Sequence, residues 1–132
     1  MSDTDKQPLQ PVQKSKFMWT RYKIYATIMS KLKRATKQRV DLEKTVTELL
    51  YDADIMDAWF GTDGKTSTNL IKQLHSIESA FGIQIYATYT LHDVASVAEW
   101  WLEKRGRFDP NTSDSDTLNY LQQQNHPKTH SK

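Results

Sequence analysis

Apolar residues recur at steps of three and four in four separate segments of this 132-residue chain. That period commits each segment to an amphipathic helix that must bury one face. Met18, Tyr22, Tyr25, Met29 and Leu32 mark the first segment, widened by Ile24 and Ile28, and predict a helix from Phe17 to about Gln38. Leu42, Val46, Leu49 and Leu50 mark the second, which Asp41 can cap and which runs to about Tyr51, before the acidic stretch 52–57. Leu70, Ile71, Leu74, Ile77 and Phe81 mark the third. Thr66, Ser67 or Thr68 can cap its start, and Gly82 can end it in the left-handed conformation. Leu91, Val94, Val97, Ala98, Trp101 and Leu102 mark the fourth, from Thr90 or His92 to Arg105-Gly106.

The remainder punctuates these helices. Residues 59–65, with Gly61 and Gly64, read as a loop. Residues 83–90 alternate and are β-branched, as a strand would be. An isolated strand has no partner to pair with, so an extended loop inserting Ile83 and Ile85 into the core fits equally. Asp116–Gln124 can form one short further helix around Leu118, Tyr120 and Leu121. The expected fold is all-α: a small bundle of about four helices over 16–106. A disordered polar tail over 1–15 precedes it, and a partly disordered C-terminal extension over 107–132 follows it.

Composition narrows the chemistry. With no cysteine, disulfides, thiolate metal sites and Cys nucleophiles are excluded. No run approaches 18 apolar residues, so no membrane span is expected, and the polar first residues give no signal-peptide run. A cytoplasmic location is the expectation. Charge is segregated: residues 1–39 hold ten Lys/Arg and two Asp/Glu, whereas residues 40–102 hold three and ten. The two halves can attract each other within one fold. Alternatively, the basic helix can face a lipid or nucleic acid through Lys31, Lys33 and Arg34. Nucleic acid is the less expected partner, because no known DNA- or RNA-binding module accompanies Trp19, Arg21, Tyr22, Lys23 and Tyr25.

One order of motifs carries more information. A loop leads to Gly64-Lys65-Thr66-Ser67, then a helix, then Phe81-Gly82-Ile83-Gln84-Ile85, then Leu91-His92-Asp93-Val94 opening the last helix. This order resembles the acyl carrier and peptidyl carrier proteins. In that family an Asp-Ser-Leu motif starts the second helix, and its serine carries 4′-phosphopantetheine. Phe81 lies fourteen residues after Ser67, as a phenylalanine commonly does in the family. The resemblance covers about residues 61–102. It implies a noncatalytic carrier, not an enzyme, whose arm on Ser67 presents an acyl or aminoacyl thioester. The implied partners are a phosphopantetheinyl transferase and an acyl- or aminoacyl-loading enzyme. It further implies docking along the helix opened by Ser67, at Thr68, Ile71, Lys72 and His75. An exposed tryptophan of the Trp100-Trp101 pair, with Trp101 the candidate, would add an anchor. Thr66 stands where the family has Asp, and Thr68 where it has Leu. The alternative is therefore a carrier-like domain without the arm, acting as a protein-protein interaction module.

Other motifs are weaker. Residues 61–68 are similar to the ATP-binding loop of Mur ligases, but no buried strand precedes them. His126 and His130 flank Pro127 in a tail-like segment, and His75 and His92 stand alone, so no metal site is expected. Asp109, Asn111, Asp114 and Asp116 lack the glycine and terminal glutamate of a calcium loop.

Overall fold

A computed structural model of the chain describes residues 18–110 and 114–125. Among these residues there are five helices and no strand: α1 (Arg21–Thr36), α2 (Val46–Phe60), α3 (Lys65–Phe81), α4 (Leu91–Lys104) and α5 (Asp114–Asn125). The expected tail over 1–15, together with His126 and His130, lies outside the described residues. The all-α expectation holds. No helix is long and apolar enough to cross a membrane among the described residues.

α1 is the central helix and packs against α3, α4 and α5, while α2 lies along α3. Its apolar stripe buries Ile24, Tyr25, Ile28, Met29 and Leu32. These meet Leu70, Leu74, Ile77 and Phe81 of α3 and Leu91, Val94, Ala98 and Leu102 of α4 in one core. Each fully buried Leu or Ile contributes about 1.5–3 kcal/mol of apolar transfer energy. Trp19 packs on this core with its ring 4.8 Å from Phe81, edge to face.

The second helix differs most from expectation. It begins not at Asp41 but at Thr45, whose side chain accepts from Glu48 N while Glu48 accepts from Thr45 N. Asp41 instead accepts from Glu43 N in a turn. The helix then runs nine residues past Tyr51 to Phe60. Two carboxylates that were expected to break it have partners: Asp52 meets Lys44 Nζ at 2.5 Å, and Asp57 caps α3. Gly61, at φ 63°, ends it. The alternating segment after α3 is a loop. Glu78 accepts from Ile85 N at 2.7 Å, Ile83 and Ile85 pack against the core, and Ala87 and Tyr89 accept from the first-turn amides of α2. The loop thus serves as a backbone cap for a neighbouring helix.

α4 starts at Thr90 with a second reciprocal cap, Thr90 with Asp93, and ends near Arg105 as expected. Trp100 and Trp101 both lie on the surface of α4. Neither is buried, at 53% and 42% exposure; they pack edge to face on each other, under Lys104 and Arg105 respectively. α5 lies on α1, with Tyr120 against Tyr22. The basic and acidic halves meet where Arg21 binds Glu99 with two hydrogen bonds, at 2.7 and 3.2 Å.

Candidate functional site

The α2–α3 turn brings together the residues that the resemblance singled out. Helix α3 starts at Lys65, one residue before the first expected cap, and none of Thr66, Ser67 or Thr68 caps it. Its N-cap is Gly64, at φ 79°, a backbone setting that disfavours side chains. A glycine cannot satisfy the free amides of a helix start, so another group must. That group is Asp57, buried near the end of α2. Its carboxylate accepts from Thr66 N at 2.8 Å, Ser67 N at 3.1 Å and the Thr62 hydroxyl, and it lies 3.0 Å from Ser67 Oγ. Burial alone would raise its pKa. The hydrogen bonds from Thr62, Ser67 and Thr66 outweigh burial and hold the carboxyl well below the ordinary range.

Ser67 is therefore half-buried and fully engaged. Its hydroxyl also reaches Asp54 Oδ1 at 2.5 Å, so it lies between two carboxylates of α2. This arrangement does not fit a phosphopantetheine arm. A phosphodiester on Ser67 Oγ would place its negative charge beside Asp54 and Asp57, and the amides that could steady it already bind Asp57. No nucleotide-loop geometry is present either, since the preceding element is helix α2.

The expected docking residues lie on two elements. Thr68, Ile71, Lys72 and His75 share one exposed face of α3, at helical spacing. Trp101 sits apart from them on α4. His75 meets Glu78 at 3.1 Å within its own helix. His92 is not alone: its Nδ1 pairs with the Tyr25 hydroxyl at 3.0 Å and its Nε2 with Glu43 at 3.3 Å. No group of three metal-ligating side chains occurs among the described residues.

A second face was missed. Tyr51, Ile55 and Trp59 recur every fourth residue along α2 and all point to solvent. Tyr51 is 65% exposed, Trp59 80% and the neighbouring Phe60 69%. The spacing was present in the sequence, but it counts only if the helix continues past Tyr51. The exposed carboxylates Glu48 and Asp54 flank this ridge, and α2 carries no Lys or Arg. Comparisons with protein-family models, curated proteins and solved structures found no match to this chain.

Proposed function

We propose that this chain is a noncatalytic, carrier-like helical module without a pantetheine arm, and that it works by binding another protein through α2. The observation that carries this reading is the exposed Tyr51–Ile55–Trp59 ridge, with Phe60 beside it. Large aromatic side chains held in water by a rigid helix are the residue types that dominate protein interfaces. Glu48 and Asp54 beside the ridge, on a helix without basic residues, select a partner segment that is both apolar and basic. The engagement of Ser67 by Asp54 and Asp57 supports the same reading, because it turns the carrier serine into a latch between α2 and α3.

Two measurements test this. After co-expression with a broad-specificity phosphopantetheinyl transferase, the intact mass is expected to be that of the unmodified chain. An added phosphopantetheine that disappears in Ser67→Ala overturns the arm-free reading. For binding, a photo-crosslinking residue at Trp59 is expected to give one discrete adduct in the host cell, with a partner whose linked peptide is basic. Adding Ile55→Asp to the same chain is expected to abolish that adduct. No adduct, or an adduct indifferent to Ile55→Asp, overturns docking through α2.

A further inference from the structure

The other flank of α2 borders a cavity of about 430 Å³, within the usual range for small-molecule sites. It lies where the end of α1, the last turns of α2 and the first turn of α3 converge. Its apolar part is Ala35, Met56 and Phe60, with Met56 and Phe60 one turn apart. Its polar part includes Lys37, Lys65 and Asn69. Among the described residues, those two lysines are the only ionisable side chains on the lining. Both residues are exposed, and neither forms an ion pair among the described residues. The acidic α2 contributes only Met56, Phe60 and the turn residue Thr62 here, because Asp52 and Asp57 bind Lys44 and the start of α3.

The position of Lys37 adds an independent observation. It follows α1 at φ 61°, where a glycine is normally found. Lys37 lines the same cavity as Lys65. Strained non-glycine residues cluster where a side chain must be held in place.

We infer that this cavity binds a small organic anion with an apolar, preferably planar, body: the body lies against Met56 and Phe60, and the anionic group sits between Lys37 and Lys65. The ridge residues Tyr51, Ile55 and Trp59 do not line this cavity, and Phe60, at the edge of both, is the one residue the two surfaces share.

The test is amide chemical-shift titration of the intact chain with 2-naphthoate, and in parallel with neutral 2-naphthamide. With naphthoate, saturable shifts are expected at residues 36–38 and 65–69. Naphthamide is expected to bind there at least fivefold more weakly. Lys37→Gln and Lys65→Gln are each expected to weaken naphthoate by roughly three- to tenfold, as loss of one partly solvated charge contact does. Tyr86→Ser, an exposed aromatic that does not line the cavity, is expected to leave its affinity within about twofold, as an uninvolved surface change does. Equal affinity for the two probes, saturable shifts confined to other residues, or no saturable binding overturns the inference. The comparison of probes on the unaltered chain decides the matter even if a variant fails to fold.

Discussion

Asp57 shows how one side chain can fix a junction between helices. It belongs to α2 by sequence and caps α3 by contact, with donors from Thr62, Thr66 and Ser67 around its two oxygens. Its folded pKa lies below its unfolded value of about 3.9. The stabilisation is therefore complete above that value and is lost as pH falls through it toward the folded pKa. The chain is expected to lose stability on acidification below about pH 4, and Asp57→Asn to flatten that fall. At neutral pH the same substitution is expected to lower the melting temperature by on the order of 5 °C, as loss of a helix cap does. Thermal melts of both proteins from pH 7 to pH 2 check this; parallel acid profiles would exclude the cap as the source. Gly82 is a second single-residue constraint. It sits at φ 67°, and a Cβ there would lie 2.7 Å from Arg105 Nη1. Arg105 donates to the carbonyls of Phe81 and Gly82, closing the end of α3. Gly82→Ala is expected to cost about 1–3 kcal/mol, part of it left-handed strain and part the displaced guanidinium. In an Arg105→Ala background the cost should fall toward about 1 kcal/mol, the strain alone. Urea unfolding of the four proteins measures the difference, and an unchanged cost would mean that Arg105 moves aside freely.

At the scale of elements, the helices that sequence period reveals best are those whose apolar residues pack on the shared core. α1, α3 and α4 bury six, four and five residues respectively, and their ends follow from Thr90, Gly82 and the Arg105-Gly106 pair. α2 buries Val46, Leu49, Ala53 and Asp57 at helical spacing, but beyond Leu49 the buried residues are an alanine and a carboxylate, which a hydrophobic period does not pick out. Its length depends on Lys44 and on the start of α3, partners that only the fold brings near. The same dependence hid the exposed ridge, while Ser67 was legible as a helix-start serine and its two carboxylate partners were not. The segment 83–90 read equally as a strand or as an extended loop because its alternation is real; it is the loop, and it packs Ile83 and Ile85 against the core without any ladder. Its carbonyls bind Val46 N at 2.9 Å and Thr47 N at 3.1 Å, so α2 begins on a backbone cap as well as the Thr45–Glu48 box. Thr45→Ala is expected to cost about 1 kcal/mol. Because Ala87 and Tyr89 still hold the next two amides, hydrogen exchange should rise at Glu48 N while Val46 N and Thr47 N stay protected. Uniform loss of protection across the first turn would show that the loop carbonyls are secondary.

Across the whole molecule, the described ends of the bundle are tied to each other. Trp19 N binds Arg107 O at 2.8 Å, and Asp109 N binds Trp19 O at 2.7 Å, pairing Trp19 with Phe108. The segment entering α1 is thereby fastened to the segment leaving α4, and α5 follows directly onto α1 through Tyr22 and Tyr120. Trp19 and Phe108 lie 89 residues apart in sequence, so pairing them carries a large loop-closure cost that the core around them must offset. Trp19 supplies an edge contact to Phe81, and Phe108 is itself buried in the core cluster. Each truncation, Trp19→Ala or Phe108→Ala, is expected to destabilise by about 3 kcal/mol. If the two residues act as one fastening, the double variant should lose less than the summed effects, by at least about 0.5 kcal/mol. Once one side chain is gone, the backbone pairing it stabilised is loosened and the other has less left to hold. Chemical denaturation of the four proteins gives this coupling directly. Additivity within about 0.3 kcal/mol would mean that Trp19 and Phe108 pack on the core independently, with their shared backbone bonds as a consequence of that packing and not its cause.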